Sequence, residues 1–232
     1  MGVVGIVPAA GYATRLQPLN CSKEVVPVGG RPVMDYLLER MRAGGASEIR
    51  VVTRPEKRDV IEHAESLEAV VVLARPATTS ESFVAGLQGL EPEDVALLGW
   101  PDTLWEPPDG YRSLVDAVER GSEIALGLFE LAQDLERSDV ISFDEAGRID
   151  GVQVKPARPA SSWIWGCAAA RVRALAGLGA EEWPGSYFDL LCRQGVELHG
   201  ERLSNVWLDV GTKAALVRAE EVSASLRRGP AS

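Results

Sequence analysis

This 232-residue chain has no long apolar run, no paired cysteines and neither of the two commonest nucleotide-binding loops. A membrane-spanning helix needs about 20 consecutive, mainly apolar residues, and no segment comes near that. The N-terminus also lacks a charged region ahead of an apolar signal core, so a cytoplasmic protein is expected. Ile6 stands where a myristoylation motif beginning at Gly2 needs Ser or Thr, which argues against a lipid anchor. Cys21, Cys167 and Cys192 stand apart without C-x-x-C pairing, excluding a disulfide framework and a zinc site. They read as small buried residues, with Cys21 the one open to oxidation. His63 and His199 have no acidic or cysteine partner at catalytic spacing and read as surface or structural. No linker or repeat divides the chain, so a single domain over 1–232 is expected, its last few residues a flexible tail.

The net charge of −10 argues against a nucleic-acid or anionic-membrane partner. Its distribution is uneven. Residues 1–58 hold nine Lys/Arg against five Asp/Glu, a balance of +4 that leaves −14 for the rest. Arg40, Arg42, Lys57 and Arg58 read as a solvated basic face. Neither G-x-x-x-x-G-K-[ST] nor G-x-G-x-x-G occurs, which removes the P-loop and the dinucleotide fingerprint.

What is present is a different phosphate loop. Residues 3–7 form a short apolar run, and Ala9, Ala10 and Gly11 make a small-residue turn whose backbone N–H groups can approach an anion closely. Thr14, Arg15 and Lys23 follow, adding a hydroxyl and two cations. A nucleoside triphosphate fits that order.

The first half alternates strand and helix. Strands are expected at 3–7, 49–53, 69–74 and 95–99, and helices at 33–43, 55–65 and 80–90, the last-turn glycines Gly44 and Gly45 ending the first. A strand at 123–131 and a hairpin of 140–143 with 149–154 follow, then helices at 186–193 and 212–226. This is an α/β fold with a mixed, mainly parallel sheet flanked by helices, which binds ligands at the carboxyl ends of its strands.

Gly11, Thr14, Arg15, Leu16, Pro18, Lys23, Pro27, Val28, Arg31 and Pro32 fall in order on the pattern G-G-x-G-[TS]-R-L-x-P, then Lys, then P-V-x-x-[KR]-P, with Ala10 and Ala13 where the pattern carries glycine. The segment resembles the opening of the sugar-1-phosphate nucleotidyltransferases, a Rossmann-like family. Two downstream features extend the resemblance. Asp102 follows the strand at 95–99 where the family places an aspartate that binds Mg²⁺, and Trp207-Leu208-Asp209-Val210-Gly211-Thr212 is similar to its W-x-D-x-G-T segment, making Asp209 the second metal carboxylate. Read alone, Asp102 also suits an Asx turn and Asp209 a helix start, although Thr212 fits that post better. Lys155-Pro156 is similar to the family's [ED]-K-P, whose lysine holds the sugar phosphate. Gly166 corresponds to a family glycine near the sugar ring, a plain bulge being the alternative.

The resemblance implies nucleotidyl transfer: a sugar 1-phosphate oxygen attacks the α-phosphorus of an NTP, pyrophosphate leaves towards Arg15, Lys23 steadies the triphosphate and Lys155 orients the nucleophile. No catalytic histidine is required, since a phosphate monoester is mostly dianionic at neutral pH. Backbone groups of Ala9 to Gly11 and the stretch Thr78, Thr79, Ser80, Glu81 and Ser82 are candidates to read the base, with Glu81 as acceptor. dTTP or UTP is favoured on family frequency, and a homo-oligomer is implied. The tryptophan-bearing stretch 158–165 is either part of the acceptor pocket or a set of core or oligomer contacts. A CTP-dependent enzyme using a non-sugar phosphate shares every residue named; a silent nucleotide-sugar sensor would not need both aspartates and both cations.

Overall fold

The computed structural model describes residues 2–12 and 19–226; the calls on Ala13, Thr14, Arg15, Leu16, Pro18 and the terminal tail lie outside them. The first strand, β1 (Val3–Pro8), is buried along its centre, as expected of a strand covered on both faces. A small hairpin of β2 (Pro27–Val28) and β3 (Arg31–Pro32) leads into α1 (Met34–Ala43). Then β4 (Glu48–Thr53), α2 (Arg58–Ser66), β5 (Val70–Leu73), α3 (Thr79–Leu87) and β6 (Val95–Gly99) alternate as the sequence pattern requires. The second half runs β7 (Thr103–Trp105), α4 (Gly110–Glu119), β8 (Ile124–Glu130), β9 (Asp139–Phe143), β10 (Ile149–Val154), β11 (Trp163–Arg171), α5 (Pro184–Arg193), β12 (His199–Ser204), β13 (Trp207–Asp209) and α6 (Lys213–Leu226).

Nine strands form one sheet in the order β10-β9-β11-β6-β1-β4-β5, with β8 on β11 and β12 on β8. Only β10 and β11 run against the others, so the expected mixed, mainly parallel sheet is what forms. Alternate residues feed two cores. Leu97, Cys167 and Ala169 face α1 and α4, while Ile6, Leu98 and Ala168 face Phe83 of α3 and Phe188 of α5. A smaller cluster of Val28, Tyr36, Leu104, Leu208 and Ala219 packs α6 and the β7–β13 ribbon onto the β2–β3 hairpin. No helix among the described residues is long and apolar enough to cross a membrane.

Several sequence expectations change. Helix α4 was not anticipated, because it opens on a glycine after two prolines; Tyr111, Leu114, Val115 and Val118 nevertheless mark a helical stripe, and all are buried. Arg40 and Lys57 are buried, whereas Arg42 and Arg58 are exposed as expected. Arg40 donates from Nε to the Trp105 carbonyl at 3.0 Å and from Nη1 to that of Tyr36 at 2.8 Å. His63 Nε2 lies 2.6 Å from Asp35 Oδ1 and His199 Nε2 3.0 Å from Glu201 Oε1; the first acidic partner comes from another helix, which residue spacing cannot reveal. Cys167 is buried, while Cys21 and Cys192 are partly exposed. Burial, then Asp59 and Glu24, raise the Cys21 thiol, so the thiolate that oxidation requires is disfavoured there.

Strand β6 positions the site, and Gly99 fixes how closely α4 and α1 approach it. A Cβ at Gly99 would collide with Tyr111 Oη and lie 2.6 Å from Leu37 Cδ1, and that hydroxyl already donates to the Leu98 carbonyl at 2.8 Å. Overpacking a core typically costs about 1–3 kcal/mol. Gly99→Ala is expected to lower unfolding free energy by that amount in urea titration; unchanged stability would mean that the helices yield freely.

Candidate active site

The carboxyl ends of β1, β4 and β6 lie side by side, since β1 pairs in parallel with both neighbours. Three segments leave there: the turn 9–11, the stretch 53–59 and Trp100-Pro101-Asp102. A cleft of about 250 Å³ opens between them, lined among the described residues by Ala10, Gly11, Tyr12, Lys23, Arg54, Thr78, Thr79, Ser82, Trp100 and Asp102. The adjoining hollow is bounded by Gly11, Tyr12, Lys23, Lys57 and Asp59.

The turn is held from behind. Ala9 donates its N–H to the Val52 carbonyl at 2.8 Å and is fully buried, so it drops out of the candidates for reading a base. Its carbonyl accepts from Thr53 Oγ1 at 3.2 Å and Lys57 Nζ at 2.7 Å. Arg54 Nε binds the Ala10 carbonyl at 2.9 Å, and Lys57 Nζ the Gly11 carbonyl at 3.1 Å. Lys57 also pairs with Glu24 Oε2 at 2.6 Å. Asp59 accepts from Ser22 N at 2.6 Å and Ser22 Oγ at 2.8 Å, anchoring the start of the turn that carries Lys23. None of Glu24, Arg54, Lys57 or Asp59 was singled out from the sequence as a site residue; the pairing of Glu24 with Lys57 has no local signature.

Lys23 and the two aspartates come together. Lys23 Nζ lies 2.6 Å from Asp102 Oδ2, and Asp102 is almost fully buried. The β7–β13 ribbon sets Asp209 opposite Thr103, and Val210 donates to the Asp102 carbonyl at 2.8 Å. Burial opposes the Lys23 charge, but Asp102, Glu24 and Asp209 outweigh it and raise its pKa above the ordinary lysine value. No group of three or more His, Cys, Asp or Glu able to hold a metal occurs among the described residues. Two carboxylates offer hard oxygen donors, and Mg²⁺ is suited to one or two of these when phosphate oxygens and water complete its shell.

The stretch 78–82 divides. Thr78 and Thr79 line the cleft. Thr78 Oγ1 also accepts from Glu81 N at 3.1 Å, and Glu81 Oε2 from Ala77 N at 2.6 Å, a relative of the capping box of a T-x-x-E sequence in which the carboxylate reaches the N–H one residue before the N-cap. Glu81 thus helps start α3, with one carboxylate oxygen engaged in that role. Ser80 is fully buried and does not line the cleft.

Lys155 and Gly166 do not line the cleft either. Lys155 has a left-handed backbone, φ 43°, and its ammonium sits 3.3 Å from the centre of the Trp183 ring at the start of α5. Asp139 lies nearby: burial raises its carboxyl, opposed by a hydrogen bond from Trp165 and by Lys155. Gly166 stands at a bulge in β11, where a Cβ would strike Trp207 Nε1 and come within 2.8 Å of Phe129. Packing of the Trp207 indole therefore explains this glycine. Trp165 belongs to an aromatic chain through Trp100 and Phe188, with centroid separations of 5.6 and 5.1 Å.

A mixed α/β sheet with a small-residue turn, a lysine and paired aspartates at its strand ends defines a nucleotidyltransferase-type scaffold. The chain belongs to the MobA-like NTP transferase domain family, whose model matches residues 5–131. It is 32% identical over 171 residues to a glucose-1-phosphate thymidylyltransferase of Actinoplanes sp., aligning 68% of this chain and 54% of that protein. It is 27% identical over 169 residues to the glucose-1-phosphate thymidylyltransferase of Neisseria meningitidis serogroup A, aligning 68% and 58%. The chain thus spans little more than half the length of these relatives. In fold it is similar to UDP-glucose pyrophosphorylase complexed with UDP-glucose, with a TM-score of 0.82 at 16% identity over 97% of this chain and 99% of that one.

The capping box yields a direct check. Loss of an N-cap hydroxyl typically costs about 1 kcal/mol, so Thr78→Ala is expected to lower unfolding free energy by about that much, and Thr78→Ser to restore most of it. Unchanged stability in Thr78→Ala, followed by urea unfolding, would free Thr78 from its capping role.

Proposed function

We propose that this protein transfers a nucleotidyl group from an NTP, dTTP or UTP being favoured, to a sugar 1-phosphate, releasing pyrophosphate. The observation that carries this is the Lys23–Asp102 pair at 2.6 Å, with Asp209 beside it, facing the turn of Ala10 and Gly11 across one cleft. The names of the relatives support the sugar phosphate and leave thymidylyl and uridylyl transfer both open.

The incoming nucleophile needs no general base, because a phosphate monoester loses its second proton near pH 6. Catalysis then rests on alignment and charge neutralisation. Lys23, kept protonated by its carboxylate neighbours, neutralises phosphoryl oxygens in the cleft, while Trp100 and the Thr78–Thr79 segment form the opposite wall. Arg15 is proposed to receive the leaving pyrophosphate. Lys155 is proposed to hold the acceptor's phosphate, its ammonium swinging off the Trp183 face. Asp102 and Asp209 would hold Mg²⁺, which supplies Lewis-acid stabilisation of charge on the phosphates.

Asp102→Asn and Asp209→Asn are each expected to lower kcat for pyrophosphate release by at least about a hundredfold, with the fold intact by circular dichroism. Near wild-type turnover in either at saturating Mg²⁺ would remove that aspartate from the site.

A buried donor or acceptor left unpaired by the wrong base costs about 1–3 kcal/mol. In a screen of triphosphates against several sugar 1-phosphates, scored by pyrophosphate, dTTP or UTP is expected to exceed ATP and GTP at least about tenfold. A purine turning over fastest would overturn the base assignment alone, whereas no release with any pair would overturn the transferase reading.

A further inference from the structure

One buried ammonium grips alternate carbonyls of the phosphate turn. Lys57 Nζ lies 2.7 Å from the Ala9 oxygen and 3.1 Å from the Gly11 oxygen, with Arg54 Nε 2.9 Å from the oxygen between them. In a trans peptide the C=O and the following N–H point in opposite directions, and among the described residues the only cis bond is Glu106–Pro107. Holding the Ala9 and Gly11 carbonyls on one cation therefore turns the N–H groups of Ala10 and Tyr12 away from it. Ala10, Gly11 and Tyr12 line the cleft, which Lys57 does not, while Gly11 and Tyr12 also border the adjoining hollow together with Lys57. Two backbone donors of one turn, both freed from the cation, make an anion-binding pair.

The same ammonium fixes where that donor pair sits relative to Lys23. Glu24 Oε2 is 2.6 Å from Lys57 Nζ, and Glu24 is the next residue after Lys23, whose own ammonium reaches forward to Asp102. We infer that Lys57 is a positioning residue that aims the Ala10 and Tyr12 N–H groups at the phosphate chain of the nucleotide and sets their separation from Lys23. This rests on the nucleotide reading above. The Lys57 ammonium is engaged by three protein oxygens, two from the loop and one from Glu24.

The test uses inorganic tripolyphosphate, which has the charge of the phosphate chain without base or sugar, titrated calorimetrically into the full chain. Removing Lys57 alone would strand Glu24, so the pair is changed together, as Glu24→Gln/Lys57→Met. This variant is expected to bind tripolyphosphate at least about tenfold more weakly and to show a raised KM for the NTP with an unchanged KM for the acceptor. Arg58→Met, which removes a charge from the exposed neighbouring position, is expected to stay within twofold of wild type. Should the double variant fail to fold, Tyr12→Pro and Tyr12→Ala decide the matter while leaving the buried pair intact, because proline deletes the N–H and alanine keeps it. Tyr12→Pro is expected to bind at least about tenfold more weakly than Tyr12→Ala. Wild-type affinity in the double variant, equal loss in Arg58→Met, or equal affinities for the two Tyr12 variants would overturn the inference and leave nucleotidyl transfer standing. Absence of both tripolyphosphate and NTP binding to wild type would overturn the two together.

Discussion

The small-residue turn at the cleft is tied down by the buried Lys57–Glu24 pair. Glu24 is fully buried and Lys57 nearly so. Burial lowers the Lys57 pKa, and Glu24 opposes that; burial raises the Glu24 pKa, and Lys57 then Lys23 oppose that. Taking two charges out of water is expensive, and well-packed apolar residues are often as stable as a buried pair. Glu24 Oε1 additionally has no hydrogen-bond partner among the described residues. An ordinary hydrophobic contact would thus serve stability equally well, but it could not grip two loop carbonyls at once. The charge is justified by what it orients.

From that anchor the remaining geometry follows through short covalent paths. Glu24 and Lys23 are adjacent, so a turn pinned by one presents the other towards Asp102. Asp102 comes off the end of β6, whose approach to α1 and α4 is set at Gly99. The β7–β13 ribbon, which begins one residue after Asp102, brings Asp209 across a sequence gap of about a hundred residues by a backbone ladder. Asp209 is therefore located by backbone hydrogen bonds, while Lys23, Glu24 and Lys57 are located by side-chain ion pairs.

Much of this was legible in the sequence. The alternating elements of the first half were visible because each strand is an apolar run bounded by turn residues, and the helices between them carry apolar stripes. Lys23, Asp102 and Asp209 were found because a resemblance supplied their order along the chain. Lys57 and Arg40 were misread as solvated, since a lone basic residue looks the same whether its partner is water or a distant carboxylate or carbonyl. Thr78 and Glu81 were assigned to the base although T-x-x-E before an apolar run is itself a helix-start signature. Gly166 was visible as a glycine in a strand, but the indole that fills its missing side chain comes from Trp207, at a position that no local pattern announces.

The two halves of the site are held by different physics, and that difference bears on where specificity resides. The turn side is fixed by hydrogen bonds to backbone carbonyls, which tolerate little substitution because each lost donor leaves a polar group unpaired. On the side of Lys155 the contacts are of another kind: an ammonium on a partly exposed indole, a half-buried Asp139 under Trp165 Nε1, and edge-on rings from Trp100 to Phe188. Cation–π and aromatic ring contacts are each worth about a kcal/mol. Side chains there can be exchanged without disturbing the backbone that aims the phosphate turn. Lys155 is also the one candidate site residue among those described whose backbone lies in the left-handed region, a conformation that for a non-glycine residue persists only when its surroundings impose it. The Lys155 side is thus held by side-chain contacts around one constrained lysine, while the turn side is held through its backbone carbonyls.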